Sequence, residues 1–579
     1  MHSLRRALIV AVLNAVHIQS AISGFVNPRL SASFDVLSPS EIIGWPSSES
    51  LASCIPTSAL IHQWPIEANA REVYGSVSGS FSGDFYHRIH ISPQSLDLGN
   101  VVSAQTQPVY LWNAYLEPRT LADILGTDEG VLVSGQPYPP LLFPALKELI
   151  WQLTVTPDGQ PVLDTFVTWE FDNGIEAGLR ITANRIIAWG FVPDWGDSIR
   201  ERLTAATDIL QSESGLSQRR KLRGSPRREF NGSMYVEGRE RQLLDLALFG
   251  WSDRIWSIPI WPDIQLLGAG LSAEVDFIPC ITQWLDFRAG GLAMLRGEDA
   301  FTSETVEILE VLPGGLQLKR NTQLDWPAGT RLYPARAAQL LEEPSLGKLT
   351  DRLIEAEVRF LVVEVCDWPK WLPATFYRGR PVWDRRPDDS ENLTHAAQRL
   401  RSTLDSGFAQ PLITDTAGRA LQVLGQRHLD LGREARALVR SFIYGMDGRQ
   451  KVVWVPTHMD DLTLLTPASE VATTIDVANI GYTRFSNGKP GRRDIRIECW
   501  DGTTLMRRII GAAALDGQTE RLALDAALGI ELQPADVAKI SWMNLMRFES
   551  DTQEIEHMTD SEGVAGWATA FREERDDEF

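Results

Sequence analysis

The chain has 579 residues, of which 44% are hydrophobic and 23% are charged, and its formal net charge is −21. This length and composition predict a folded, soluble protein of several domains, each large enough to bury its own core. So acidic a surface repels phosphate, which disfavours a nucleic-acid-binding protein. The 19 tryptophans indicate either many packed interfaces or platforms on which sugars stack.

The first thirty residues contain a pattern that has two explanations. Two arginines precede a short apolar run, and small residues follow at Ala21 and Ser23, as in a secretory signal peptide. Asn14 and His17 interrupt the run, which is too short to span a bilayer. We expect an N-terminal helix or arm over 1–30, with a signal peptide as the alternative, and 31–84 has no clear assignment. No later segment is apolar over eighteen residues, so no membrane span is predicted.

Residues 85–185 show short alternating strands separated by turn signals, which predicts an antiparallel sandwich. We expect its strands at 87–92, 108–116, 151–171 and 179–183, with a turn at Pro157-Asp158-Gly159. The segment SPQSLDLGNVVSAQTQPVYLWN is similar to an immunoglobulin-like domain. Such modules occur in many surface and virion proteins, so this similarity predicts a fold and no particular function.

The second half of the chain repeats itself with a period near 200 residues. RQLLDLALFG (241–250) matches RALVRSFIYG (436–445), Ile258-Pro259 matches Val455-Pro456, and GTRLYPA (329–335) matches GIELQPA (529–535). The three matches keep their order, and the offset drifts only from 195 to 200, as expected when insertions collect in loops. The sequence therefore predicts an internal duplication.

Each copy is predicted to contain one amphipathic helix followed by a buried strand and several strands of a small barrel. Hairpins are expected within 308–318 and 509–524, around Pro313-Gly314-Gly315 and Asp516-Gly517. The predicted boundaries are 186–366 for the first unit, 367–420 for a linker and 421–579 for the second unit. The chain is thus expected to be mainly β with minor α.

No arrangement of residues in the sequence predicts catalysis. The usual nucleophile, phosphate, dinucleotide and zinc-protease motifs do not occur. His87 and His90 would lie on opposite faces of a strand, which disfavours shared metal binding. Asp460-Asp461 follows His458 and is expected to cap a turn. The four cysteines are far apart, without a C-x-x-C pair, which predicts buried thiols. We expect no catalytic residue, no metal site and no cofactor.

A basic strip between residues 218 and 230 is the sequence's most distinctive polar feature. In an acidic protein such a strip can pair with the acidic face of a neighbouring subunit. A solvated linker and a nucleic-acid contact are the alternatives. The predicted subunit-contact residues are Arg219, Arg220, Lys221, Arg223, Arg227 and Arg228.

Several segments resemble the tail-tip and baseplate proteins (distal tail or hub) of long-tailed, siphovirus-type bacteriophages. They are TDILQSESGLSQRRKLRGSPRREF (207–230), RIWSIPIWPDIQLL, KVVWVPTHMDDLTLL, and the closing stretch 539–573. The resemblance implies that the sandwich is followed by two tandem tail-tube-like β-barrel domains, each with one helix. It also implies a virion structural protein with no enzymatic activity, made in the host cytoplasm.

The duplication suggests how such a protein would assemble. Tail tubes are six-fold and tips are commonly three-fold, so three chains with two tube-like units each would form a trimeric ring of pseudo-six-fold symmetry. A hexamer is the second possibility. The ring would connect the tail tube and tape measure to the hub and receptor-binding proteins, and an acidic lumen would let DNA pass during ejection without adhering.

Two other functions fit the sequence. An exported carbohydrate-binding or adhesion protein would explain the signal-like start and the tryptophans. A tail-associated cell-wall hydrolase would need a carboxylate pair or a metal site in one cleft.

Overall fold

The structure is a computed structural model that describes residues 86–575, apart from 103, 128–129, 158–159 and 161. The predictions for 1–30, for 31–84 and for the turn residues 158–159 lie outside the described residues. The chain divides into two compact units, with the boundary between Ala183 and Asn184. None of the helices in the described part is long and apolar enough to cross a membrane.

The predicted mainly β fold with minor helices is confirmed, since strands make up 49% of the structure and helices 8%. No closed barrel is found in the described part of the chain. Six strands between residues 265 and 340 form one ladder. The ladder is open, because its two end strands, Gln265–Leu266 and Phe277–Pro279, do not pair with each other. Instead, the Gln265 side chain donates to the Ile281 carbonyl at 2.9 Å and accepts from the Ile281 N–H at 3.0 Å. The Gln265 side chain thus bridges the gap that backbone pairing would close in a complete barrel.

The first unit is a two-layered sandwich, and the predicted strands are present. Its strands are β1 (Ile89–Ser92), β2 (Ser95–Val101), β3 (Gln105–Asn113), β4 (Arg119–Leu125), β5 (Val131–Ser134), β6 (Leu141–Phe143), β7 (Glu148–Val155), β8 (Val162–Phe171) and β9 (Ile175–Ala188), whose last residues belong to the second unit; a 3-10 turn spans Asp172–Gly174.

In the sandwich, β3 pairs with β1 and β7, and β7 pairs with β5. In the other layer β4 pairs with β6 and β8, and β2 pairs with β9. Alternate residues of β3, such as Val109 and Leu111, are buried, because side chains alternate between the faces of a strand. They share one core with Trp151 of β7 and Trp169 of β8.

The second unit contains two halves, which we call the first repeat (184–366) and the second repeat (367–575). The elements of the first repeat are β10 (Ile199–Thr204), β11 (Thr207–Gln211), β12 (Ser217–Lys221), β13 (Arg227–Glu237), α1 (Gly238–Trp251), β14 (Ile255–Pro259), a 3-10 turn (Trp261–Asp263), β15 (Gln265–Leu266), β16 (Phe277–Pro279), β17 (Leu292–Arg296), β18 (Ser303–Leu312), β19 (Gly315–Leu318), β20 (Arg331–Leu340), β21 (Leu346–Lys348) and β22 (Leu353–Val362).

The second repeat begins with a small hairpin and then follows the same order. Its elements are β23 (Phe376–Tyr377), β24 (Arg380–Pro381), β25 (His395–Gln398), β26 (Ser402–Leu404), β27 (Leu412–Thr414), β28 (Leu421–Leu431), α2 (Gly432–Met446), β29 (Val453–Pro456), β30 (Thr474–Ala478), α3 (Tyr482–Phe485), β31 (Asp494–Cys499), β32 (Thr504–Ala514), β33 (Thr519–Leu524), β34 (Val537–Phe548), β35 (Thr552–His557) and β36 (Val564–Glu573).

The strand pairing of the first repeat recurs in the second. β13 pairs with β10 and β22 as β28 pairs with β25 and β36. β20 pairs with β14, β17 and β22 as β34 pairs with β29, β31 and β36. β21 lies on β22 as β35 lies on β36. Each helix follows its long strand directly, so the two predicted helices are confirmed.

Backbone hydrogen bonds recur with the same register. The N–H of Asp194 donates to the Ser233 carbonyl at 2.7 Å, and that of Asp388 donates to the Arg427 carbonyl at 2.6 Å. Both members of the second pair lie 194 residues after those of the first. The same offset relates the Gly-Arg-Glu that opens α1 at 238 to the one that opens α2 at 432, and both glycines have positive φ. An offset of 194 residues therefore relates individual backbone contacts of the two repeats.

Two sequence predictions differ from this register. GTRLYPA enters β20, whereas GIELQPA precedes β34, the counterpart of β20, so this third sequence match does not join equivalent positions. Part of the predicted linker, 367–420, is built into the second repeat, because β25 pairs with β28. Low sequence similarity between the copies hid both points.

Each repeat has a hydrophobic core between the long strands and the helix and another inside the smaller ladder. In the described residues the second repeat has a further core around Trp454 and Tyr377. Trp256, Trp261, Trp326 and Trp454, which lie in the two repeats, are all buried, so these four tryptophans contribute to packing. The hairpins predicted around 313–315 and 516–517 are present as β18–β19 and β32–β33. Cys366 and Cys499 are buried free thiols, and Cys280 is partly buried.

Candidate functional site: the junction between the repeats

The two repeats meet edge to edge through one pair of strands. β10 of the first repeat pairs antiparallel with β35 of the second over six residues, from Ile199 opposite His557 to Thr204 opposite Thr552. Because β10 also pairs with β13, and β35 with β36, the sheet continues from one repeat into the next. Leu203 of β10 packs in the hydrophobic core of the second repeat.

The basic strip lies at this junction. Arg219 and Lys221 stand on β12, and their partners belong to the second repeat: Arg219 approaches Glu574 at 3.9 Å, and Lys221 Nζ bonds Asp447 at 2.5 Å. Ser217 of the same strand also donates to Glu574, at 2.6 Å. Arg219 and Lys221 thus pair with acidic residues of the same chain, whereas the prediction was for acidic residues of a neighbouring subunit.

The other cations of the strip have different environments. Arg228 is fully buried, and Arg223 donates to the Thr204 carbonyl at 3.4 Å. Arg220 and Arg227 are exposed. A contact with another subunit stays a prediction, and within the strip Arg220 and Arg227 are the residues most open to it.

A buried charge cluster lies beneath the paired strands. Glu201 of β10 is fully buried and accepts from Arg228 at 2.7 Å, from Arg440 of α2 at 2.8 Å and from His557 of β35 at 3.0 Å. Burial alone would raise the pKa of Glu201, but Arg228 and Arg440 hold it well below its ordinary value. One carboxylate thereby connects two strands and a helix from both repeats.

Asp286 extends the cluster within the first repeat. It is buried, and Arg228 and Arg336 bind its two oxygens. Burial opposes ionisation, yet these arginines lower the pKa of Asp286 to about 2. Asp263 faces Arg440 at 3.4 Å. The three carboxylates balance three guanidiniums, so the charges are buried as neutralised groups.

Three arginines at one face of α2 contact the first repeat. Arg433 donates to the Ile264 carbonyl at 3.0 Å, Arg436 donates to the Pro262 carbonyl at 3.2 Å, and Arg440 binds Glu201 and Asp263. Their spacing of three and four residues places them on one side of a helix. Ten residues of α2 are buried, whereas only Leu244 of α1 is buried. Contacts with its own repeat also cover α2, such as the Trp368 indole that donates to the Ser441 hydroxyl at 2.8 Å.

Gly448 lies in a tight contact between the repeats. Its φ is +69°, and a Cβ at this position would lie 2.6 Å from the Ala205 Cβ and 2.6 Å from an Asp551 carboxylate oxygen. Asp551 also accepts from the Thr207 N–H and hydroxyl at 2.9 and 2.8 Å. The turn after α2 therefore fits against β11 only as glycine.

Replacing Gly448 by alanine is expected to destabilise the protein by about 2–3 kcal/mol, because the new Cβ adds a clash to the strain of a positive φ. Urea unfolding followed by tryptophan fluorescence measures the loss. Gly502→Ala is the matched control, since Gly502 also has positive φ but a Cβ there would meet nothing within 4 Å. A loss at Gly448 no larger than that at Gly502 would show that the close approach does not matter.

Three of the histidines in the described ranges bond to glutamine or glutamate side chains. His395, His428 and His557 bond Gln422, Gln426 and Glu201, so these three do not form the Ser–His–Asp arrangement of a serine protease. No group of three or more potential metal ligands is found in the described ranges. Asp461 accepts from the Thr457 hydroxyl and from the Trp542 N–H of β34, so its side chain connects the segment after β29 to β34.

Sequence reasoning missed the central residues of the junction, which are Glu201, Arg440 and His557. One signal was available: Arg440 interrupts the apolar face of RALVRSFIYG, and a charge on a buried face needs a partner of opposite charge. The sequence gives no sign of which carboxylate that partner is.

Comparisons with known proteins do not reveal a family. No protein-family model matches the chain, and no curated protein matches it. Among solved structures, the secreted serine protease VesC from Vibrio cholerae aligns with 7% identity and a TM-score of 0.15, over 50% of this chain. The chain spans about half the length of that protein, 52%, and a likeness this weak carries no argument about fold or function.

Proposed function

We propose that the protein is a structural component of a bacteriophage tail tip or baseplate. It would form a ring under the tail tube that connects the tube to the hub and the receptor-binding fibres, and DNA would pass through that ring during ejection. The observation that carries this proposal is the junction, where one repeat adds to the sheet edge of a like repeat through β10 and β35.

A contact of this kind is head-to-tail, because the two repeats contribute different edges to it. The first repeat contributes β10, whereas the second contributes β35, whose counterpart in the first repeat is β21. Head-to-tail contacts between like units generate rings when the rotation closes. Three chains would supply six like units, which makes a trimer with pseudo-six-fold symmetry the favoured assembly, and a hexamer the second.

The charge and the packing support a structural role. A net charge of −21 would keep DNA from adhering to a lumen lined by acidic residues. Trp256, Trp261, Trp326 and Trp454 are buried, so they cannot act as sugar-stacking platforms. The tape measure, tube, hub and receptor-binding proteins would be the neighbours, with the virion as the location.

Immunogold electron microscopy of phage particles tests the proposal. Antibodies raised against the purified chain are expected to label the tail tip, and not the capsid or the tail shaft. Label on the host cell surface, with none on particles, would favour an exported adhesion protein instead. Clearing of peptidoglycan in a zymogram of the purified chain would favour a cell-wall hydrolase.

A further inference from the structure

The repeated topology identifies two strand edges as counterparts of the junction strands. β25 occupies in the second repeat the place that β10 has in the first, and β21 occupies the place of β35. Within the described residues, β25 pairs only with β28, and β21 pairs only with β22. Each of these strands therefore leaves one edge unpaired at the position where its counterpart makes the junction.

The helices show the same difference in side-chain exposure. Leu246 of α1 is 69% exposed and Phe249 is 93% exposed, whereas their counterparts in α2, Arg440 and Ile443, are 1% and 5% exposed. Arg440 binds Glu201 and Asp263 of the first repeat, and Ile443 packs in the same core as Leu203 of β10. The face of α1 that would make the equivalent contact thus presents two large apolar side chains to solvent.

The hairpins between the paired strands also differ. β11–β12 is basic and contacts Glu574, which follows β36. Its counterpart β26–β27 is apolar and exposed at Leu404, Leu412 and Ile413, and Phe408 at its tip is fully exposed. The residue that corresponds to Glu574 is Val363, the first residue after β22, and it is also exposed.

We propose that the β25 edge of one chain pairs with the β21 edge of a second copy of the same chain. The β26–β27 hairpin would then cover the exposed apolar face of α1 and Val363 on that copy. This inference rests on the proposed ring and names the surface that would close it. The register follows from the junction, where Glu201 lies opposite Ile555. The residue that corresponds to Glu201 in β25 is His395, and the residue that corresponds to Ile555 in β21 is Leu346. We therefore expect His395 to lie opposite Leu346.

The partner is a second copy of this chain because the two sides of the proposed contact are both apolar, whereas the two sides of the junction are both charged. At the junction within the chain, a basic hairpin faces an acidic residue. At the proposed contact, an apolar hairpin faces an apolar helix face and a valine. Exposed apolar side chains of this size gain from mutual burial, and an uncovered strand edge is a ready template for pairing with another chain.

Pro344 limits the length of the new ladder. By the register above it would lie opposite Ala397, where the junction has Gln553 opposite Leu203. Proline has no N–H to donate, so we expect pairing over 393–395 against 346–348, about half of the six pairs at the junction. The hairpin and the helix face would supply most of the remaining contact.

Disulfide cross-linking of the full chain tests the register. Leu346→Cys with His395→Cys is expected to give cross-linked multimers on a non-reducing gel, and the series should end at three chains if a trimeric ring closes. Lys348→Cys with Gln398→Cys is the matched control, because these positions on the same two strands would be about five residues out of register, roughly 17 Å apart. Unmodified protein controls for its own cysteines.

Charge substitution tests the apolar surfaces. Phe249→Glu and Phe408→Glu are each expected to weaken self-association by tenfold or more in mass photometry, while Tyr138→Glu, at an exposed residue of the first unit, leaves it unchanged. Oligomers in which the Leu346→Cys and His395→Cys pair does not cross-link, or that survive both substitutions, would overturn this interface and leave the tail-tip proposal intact. A chain that stays monomeric would overturn the interface too. A cross-linked ring that immunogold places away from the tail would overturn the proposed function alone.

Discussion

Replacing Glu201 by leucine is expected to lower the free energy of unfolding by about 3–5 kcal/mol, the usual cost of removing one partner from a buried ion pair. Glu201 neutralises both Arg228 and Arg440, and all three side chains are buried. Without the carboxylate, two guanidiniums are left with fewer partners in a medium of low polarity. Urea unfolding monitored by far-UV circular dichroism measures the change.

Two further variants separate the cluster from a general effect of charge removal. Glu201→Leu combined with Arg440→Leu is expected to recover part of the loss, because the second change removes a cation that the first leaves uncompensated. Asp164→Asn removes a carboxylate from an exposed ion pair with Arg180 and should have no measurable effect. If Glu201→Leu behaved like Asp164→Asn, the cluster would not hold the repeats together.

Stability is expected to fall as the pH drops below about 6.5, the pKa of histidine in an unfolded chain. Burial, and then the nearby Arg385, lowers the pKa of His428 to about 3; burial, and then Arg496, lowers that of His458 to about 3. Burial also lowers the pKa of His557. Between pH 6.5 and 3 the unfolded chain binds protons that the folded chain does not bind. The free energy of unfolding therefore decreases as the pH falls.

The expected slope is steep where several of these histidines titrate together. Each proton bound only by the unfolded chain changes the free energy of unfolding by about 1.4 kcal/mol per pH unit, so two histidines change it by about 3 kcal/mol per pH unit. The depressed pKa values of Glu201 and Asp286 add their own loss only below about pH 4.

Urea midpoints measured at pH 7.5, 6 and 5 test this dependence. His428→Gln is expected to flatten the slope, even if it lowers stability at every pH through lost stacking on Trp567, 5.3 Å away. His395→Gln is the control, since His395 is exposed. An equal slope in the two variants would contradict the assignment to buried histidine.

Much of the fold could be predicted from the sequence because its signals are local. Alternation in β3 and the apolar stripe of α2 depend on residues close in the chain, and both elements are where the pattern predicts them. The duplication was visible in the helices for the same reason. Its register was not, because the better markers, Trp-x-x-x-Pro-Asp at 189–194 and 383–388, are short and sparse.

The junction could not be predicted in the same way. Glu201 and His557 are 356 residues apart, and nothing local indicates which strand edges meet. The basic strip was recognised by its charge, yet charge alone cannot distinguish a partner in the same chain from one in another subunit. That distinction depends on the pairing of β10 with β35.

Electron-microscopy class averages of the purified protein test most directly whether this chain builds a ring. We expect closed rings of three chains, with six similar lobes around a central opening. Monomers at every concentration, or closed two-fold dimers, would contradict it.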